Sequence, residues 1–388
     1  MKKSLGGFPP LSLYIHLPWC VRKCPYCDFN SHAVRDAIPE EAYVDALIAD
    51  LEQDLPLVWG RTVYTVFIGG GTPSLFSARS IERLLDEVRA RLRLAPDAEI
   101  TLEANPGTVE AGRFAEYRDA GINRLSIGVQ SLDDEMLRRI GRVHGAAEAM
   151  AAAEAAAHAG FDRWNVDLMY GLPGQSREQA LCDIQRAIAL DPPHISHYQL
   201  TIEPNTLFYN RPPNRADDDE LWEMQGVCQQ ALSAAGYAQY EVSAYARLGA
   251  ECAHNRNYWE FGDYLGIGAG AHAKITLGDE QAVRRMSKVR NPADYLSSAS
   301  AIGRVAETRV LSTQDLGLEF MMNALRLNQG FAARLFHERT GLPIAMLAAP
   351  LERAERLGLI GQDITRIWPT ERGRRYLNDL LLLFMPDD

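Results

Sequence analysis

The chain has 388 residues, 47% of them hydrophobic and 23% charged. That composition fits a globular protein of roughly two to three ordinary domains, and it excludes a disordered, collagen-like or disulfide-stapled chain. With 40 Lys and Arg against 51 Asp and Glu the net charge is −11, so no nucleic-acid partner is expected beyond what a local basic patch could hold.

At the N-terminus two lysines and a few apolar residues precede a cysteine, which looks superficially like a signal peptide. Gly6, Gly7, Pro9, Pro10 and His16 break the apolar run that such a peptide needs, and Trp19 is too bulky for its cleavage site. No stretch reaches the ~18–20 apolar residues of a membrane span. A cytoplasmic protein is expected.

Six strand-like runs then alternate with amphipathic helical patterns. The strands are predicted at 13–17, 63–68, 99–103, 124–130, 164–169 and 195–202, and the helices at 41–55, 78–92, 109–120, 146–159, 177–189 and 217–235. Six β–α units in succession argue for a parallel sheet or an incomplete barrel over residues 1–246. The alanine-rich stretch 146–159 reads as one packed helix. Residues 247–311 lack a clear period and read as a connecting, site-lining region. From 312 to 388 the order helix, helix, short hairpin, helix resembles a winged helix. That segment carries nine Arg against ten Asp and Glu, which favours packing or partner docking over DNA.

Chemistry concentrates in Cys20-Val-Arg-Lys-Cys24-Pro-Tyr-Cys27, a C-x3-C-x2-C spacing directly after the first strand. Cys182, Cys228 and Cys252 are scattered and read as small apolar core residues. A tight thiol cluster in a reducing compartment points to metal. Structural zinc wants four closed ligands, and no second Cys/His pair stands nearby. A [4Fe–4S] cluster takes one thiolate per iron, so three cysteines leave one iron open to an external ligand.

This motif, with an aromatic before its last cysteine, resembles the signature of the radical S-adenosylmethionine (SAM) family. In that family SAM chelates the open iron, and reduction of the cluster can cleave SAM to a 5′-deoxyadenosyl radical. The fold implied is a partial (β/α)6 barrel, with a C-terminal, mainly helical winged-helix-like domain here. In a barrel the chemistry sits at the C-terminal ends of the strands. The predicted strands end at Gly69-Gly70-Gly71-Thr72, Glu103, Gln130 and, near the fifth, Asp167. At these places the chain resembles the coproporphyrinogen III dehydrogenase branch. That resemblance implies SAM contacts from Tyr14, Tyr26, Gly70, Gly71, Thr72, Glu103, Gln130, Arg142 and Asp167.

Two departures separate the chain from the dehydrogenases. They carry a fourth cysteine two residues after the third, where Phe29 stands here, and a longer N-terminal arm than the 19 residues before Cys20. C-x3-C-x2-C-x-F instead resembles the HemW group of haem chaperones. So does His254-Asn255-Arg256-Asn257-Tyr258-Trp259, which matches an HNxxYW pattern of that group. His254 could offer an imidazole to haem iron, with Tyr258 or Trp259 on the macrocycle. Cys252 is an alternative thiolate, and His272 reads as structural. The resemblance implies haem, a [4Fe–4S] cluster and SAM as bound groups. It also implies haem-accepting, respiratory proteins as partners, met at the membrane surface. A homodimer and an active coproporphyrinogen III dehydrogenase remain the open alternatives.

Overall fold

The computed structural model describes residues 7–107, 112–278, 280–298 and 301–385. Six parallel strands form its centre: β1 (Leu11–Leu17), β2 (Thr62–Gly70), β3 (Arg93–Ala104), β4 (Arg124–Gln130), β5 (Arg163–Tyr170) and β6 (His194–Gln199). They lie side by side in chain order, as crossover helices require. β1 is buried on both faces, which explains its nearly unbroken apolar sequence LSLYIHL.

The helices follow the expected stretches. Ala78–Arg91 starts at Ser77, whose hydroxyl accepts from Ser80 N, and ends on Arg89 and Arg91. Arg177–Ala189 opens with a Ser176/Gln179 capping box. In Ala146–His158 the alanines at 149, 152, 153 and 156 recur at helical spacing and are fully buried. The helix expected at 109–120 is seen as Phe114–Asp119; residues 108–111 lie outside the described residues.

The segment 247–311, expected as a connecting or site-lining region without a clear period, is regularly structured, and several of its residues line a cavity. It opens with a helix, Ala253–Trp259, and then supplies four strands: β9 (Asp263–Ile267), β10 (His272–Leu277), β11 (Ala282–Lys288) and β12 (Val305–Val310). β9 pairs in parallel with β1 on the side opposite β2, and β10 to β12 continue outward in antiparallel fashion. At the far edge the short strands β7 (Ala238–Glu241) and β8 (Ala244–Ala246) close the series against β6. The result is a 12-stranded mixed sheet that does not close into a barrel.

Buried ion pairs weld this extension to the barrel. Lys288 on β11 sits between Asp50 (2.6 Å) and Asp54 (2.7 Å) of the helix Glu40–Asp54, with Tyr295 donating to Asp50. Lys274 on β10 reaches Asp263 at 3.0 Å, which also takes Arg61 at 2.8 Å. The C-terminal part, helical with a three-stranded sheet, packs around Leu316, Phe320 and Phe336 and draws Phe261 and Val283 into the same core. No helix among the described residues is long and apolar enough to cross a membrane. Of the scattered cysteines, Cys228 and Cys252 are buried, whereas Cys182 lies exposed on its helix and is not a core residue.

Candidate functional site

The parallel strands all deliver their C-terminal ends to one side of the sheet. There the loop after β1 folds back through the short pairing of Trp19–Cys20 with His32–Ala33. Beneath it lies a chamber of about 430 Å³. Cys20, Cys24, Cys27, Tyr26, Gly70, Gly71, Thr72, Glu103, Gln130, Arg142 and Asp167 all line it. Eleven of the 13 expected site residues are thus brought together. Tyr14 and His254 line cavities that adjoin this chamber.

Each of the three thiols has its own polar neighbour. Thr72 Oγ1 donates to Cys20 Sγ at 3.5 Å, Arg142 Nη1 to Cys24 Sγ at 3.7 Å, and Ser31 Oγ lies 3.8 Å from Cys27 Sγ. Donors aimed at sulfur stabilise thiolate ligands. Burial alone pushes the Cys20 and Cys27 thiols up, so a metal-ion charge is what would make these thiolates favourable. The backbone is built for close approach as well. A Cβ at Gly71 would meet Trp19 O at 2.4 Å, and Gly70 holds a φ of +118° with the His16 ring where its Cβ would be. These features fit a thiolate-bound cluster under the loop.

The floor of the chamber is acidic. Glu103 at the end of β3 accepts from Gly70 N at 3.0 Å, and burial, against that hydrogen bond, pushes its pKa up to about 7. Asp167 accepts from Asn165 (2.8 Å) and Ser126 (3.2 Å), and burial raises it too. Gln130 ends β4 in a left-handed conformation (φ 71°) and accepts from the Tyr198 hydroxyl at 2.7 Å. Arg142 gives Nη2 to Asn105 Oδ1 at 2.7 Å, while its buried Nε has no partner. Asn105 in turn donates to Thr72 at 2.8 Å. Sequence reasoning missed Asn105 and Tyr198. Their signal was the same as for Glu103 and Gln130, a polar group at or just past a strand end.

The raised Glu103 sets a pH dependence. In protein freed of iron, Glu103 keeps its proton up to about pH 7, whereas the unfolded chain releases it near 4.5. Its contribution is therefore fully present below about pH 4.5 and lost as pH rises towards 7, at most roughly 3 kcal/mol. Glu103→Gln should flatten that part of the stability profile in urea titrations at pH 5 and 7.5. An unchanged slope would mean that Glu103 is ionised throughout.

His254 is placed differently from the expectation of an open ligand. It is 1% exposed, with Nδ1 2.8 Å from Thr65 Oγ1 and Nε2 3.0 Å from the Tyr258 hydroxyl. Neither nitrogen is free for iron in this arrangement, and burial lowers its pKa to about 3. Cys252 is equally enclosed, its Sγ 3.6 Å from Glu99.

A partial barrel with a three-cysteine loop over an acidic, glycine-edged chamber defines a radical SAM protein. In agreement, the model of the radical SAM superfamily matches residues 14–184, and that of the HemN C-terminal domain matches residues 311–376. Heme chaperone HemW of Escherichia coli is 52% identical over 380 residues, covering 98% of this chain and 99% of that protein. Heme chaperone HemW of Haemophilus influenzae is 48% identical over 384 residues, with the same coverage. The solved structure of coproporphyrinogen III oxidase (HemN) from E. coli, a radical SAM enzyme, superposes with a TM-score of 0.82 at 26% identity, covering 97% of this chain and 90% of that one. The chain belongs to the HemW family of the radical SAM superfamily.

Proposed function

We propose that this protein is a haem chaperone that carries a [4Fe–4S] cluster on Cys20, Cys24 and Cys27, binds SAM beside it and passes haem to haem-requiring proteins. The observation that carries this reading is the set of three thiols, each with its own polar neighbour, lining one chamber in a chain that matches HemW proteins over 98% of its length. When bound, the cluster and SAM supply one-electron chemistry.

The chain's own residues then divide the work. Glu103 and Asp167 accept from the amino group and ribose hydroxyls of SAM, and a cation placed there favours the ionised form of Glu103 that burial disfavours. Gly71, lacking a Cβ, lets the Trp19 carbonyl at the base of the cysteine loop come close. Arg142 fixes Cys24 through its Nη1, so its effect on SAM passes through the cysteine loop. Phe29, where the dehydrogenases have a fourth cysteine, is 61% exposed and offers no thiol. Cytoplasmic placement, with recipients met at the membrane surface, belongs to the same reading.

The test is to reconstitute the cluster anaerobically and run two assays in parallel. In one, reductant, SAM and coproporphyrinogen III are supplied and protoporphyrinogen IX is measured beside an active dehydrogenase. In the other, haem-loaded protein is mixed with a haem-free acceptor. Haem transfer without product is expected. Product above the no-protein blank would replace the chaperone with a decarboxylating enzyme.

A further inference from the structure

A second cavity of about 460 Å³ lies between the cysteine loop and the extension. It shares Asp28, Phe29, Gly70 and Glu103 with the cluster chamber, so the two are neighbours across that loop. Its size falls in the range of small-molecule and cofactor sites. One wall is aromatic: Tyr258, Trp259, Phe261 and Tyr264 line it, with Tyr258 and Tyr264 edge to face at 4.5 Å. Phe29 faces it from the loop. Such a wall suits a broad, flat, apolar ligand.

The imidazoles that line this cavity and a third one, which Tyr14 also lines, sort cleanly. His16 is engaged on both nitrogens, by Tyr14 and Asn30 at 2.9 Å each. His194 is engaged by Asn165 (2.6 Å) and Tyr240 (2.9 Å), and His254 by Thr65 and Tyr258. His272, at the start of β10, lines the aromatic cavity, is exposed, and its ring makes no hydrogen bond or ion pair among the described residues. The cations sort in the same way. Arg285 is held by Glu319 and Lys274 by Asp263, whereas the exposed guanidinium of Arg290 at the rim has no ion pair among the described residues.

We propose that haem is held in this cavity, with His272 as the iron ligand, the aromatic wall against the macrocycle and Arg290 meeting a propionate. The inference rests on the haem-chaperone reading and moves the ligand away from the HNxxYW histidine. In that motif His254 anchors the helix, and Tyr258 and Trp259 reach the cavity. Ligation uses a neutral imidazole, which gives its lone pair to iron and displaces a bound water. Partial desolvation against the cavity wall, and then the charges of Arg285 and Arg290, lower the pKa of His272 and favour its neutral form.

The reconstituted full-length protein is titrated with hemin and with metal-free protoporphyrin IX, following the Soret band. His272→Ala should weaken hemin at least about tenfold and shift its Soret maximum, leave protoporphyrin IX affinity unchanged, and regain the band on adding imidazole. His254→Ala should keep the wild-type maximum. Arg290→Ala should weaken both porphyrins. An unaltered cluster spectrum reports that each variant is folded. A His272→Ala protein with wild-type hemin affinity and spectrum would overturn this assignment alone. Wild-type protein that takes up no hemin would overturn the function it rests on.

Discussion

Replacing Cys20, Cys24 and Cys27 together with alanine should reduce iron and sulfide incorporation to background while the barrel still folds. The three thiols line one chamber, and the strands beneath them carry their own core, in which Leu13, Ile15, Val66 and Ile68 are almost fully buried. The cysteine side chains are only partly buried, so their loss opens no large cavity in that core. A cluster takes one thiolate per iron, and without the thiolates nothing in the chamber replaces them. Iron and sulfide content and the charge-transfer absorption of the anaerobically reconstituted protein measure the effect. A triple variant that kept a full cluster spectrum would remove the basis of the site. Thr72→Val, which deletes the donor to Cys20 together with the acceptor of Asn105, should retain the cluster and lower its reduction potential.

Lys288→Met should cost about 3–5 kcal/mol, the usual penalty for removing one partner of a buried ion pair. The ammonium is 1% exposed and lies between two carboxylates that are themselves buried. Asp50 has further support from Tyr295 and from the backbone N–H of Gly268. Asp54 depends on Lys288, and burial already raises its pKa. Removing the cation leaves two carboxylates with nothing between them, on the helix that joins the extension to the barrel. Chemical denaturation reads the loss. Adding Asp50→Asn and Asp54→Asn should recover much of it, because the uncompensated charges go too. If Lys288→Met melts like the wild type, the network does not hold the two parts together.

The same lysine explains why the extension was illegible in the sequence. Strands buried on both faces announce themselves by apolar runs, and β1 and β2 do so. In β10 and β11 inward positions are taken by Lys274, matched by Asp263 on the neighbouring β9, and Lys288, matched by Asp50 and Asp54 far away in the chain. Their sequences, HAKITL and AVRRMSK, therefore read as polar loop. β12 is an edge strand whose sequence VAETRV is mostly exposed, so no burial pattern marks it. Charged edge strands deter sheet-to-sheet pairing, which suits this position. The six central strands were legible because their apolar runs alternate with helical stretches, several of which open on a capping side chain such as Ser77, Asp133 or Ser176.

The candidate site divides on the same physical line. Cysteine spacing and polar strand ends are local signals, and they pointed to most of the chamber. The engagement of His254 is local only in part: Tyr258 of the same motif takes Nε2, but Nδ1 is taken by Thr65 on β2, and that contact has no signal around the motif. Arg142 was named only by resemblance. Its contact with Cys24 depends on how the cysteine loop folds over β4.

The parallel pairing of β1 with β9 also has a kinetic side. It joins Leu11–Ile15 to Asp263–Ile267, partners about 250 positions apart, and contacts at such separations form late and slowly. The cluster chamber takes its lining from residues up to Glu203, although Asn30 of the cysteine loop also donates to Ala269 O and Arg290 O of the extension. The aromatic cavity takes its walls from both sides of that long-range pairing. On the reading proposed above, a nascent chain can therefore assemble the lining of its cluster chamber before the cavity assigned to haem has both of its walls, and uptake of cargo would be confined to finished molecules.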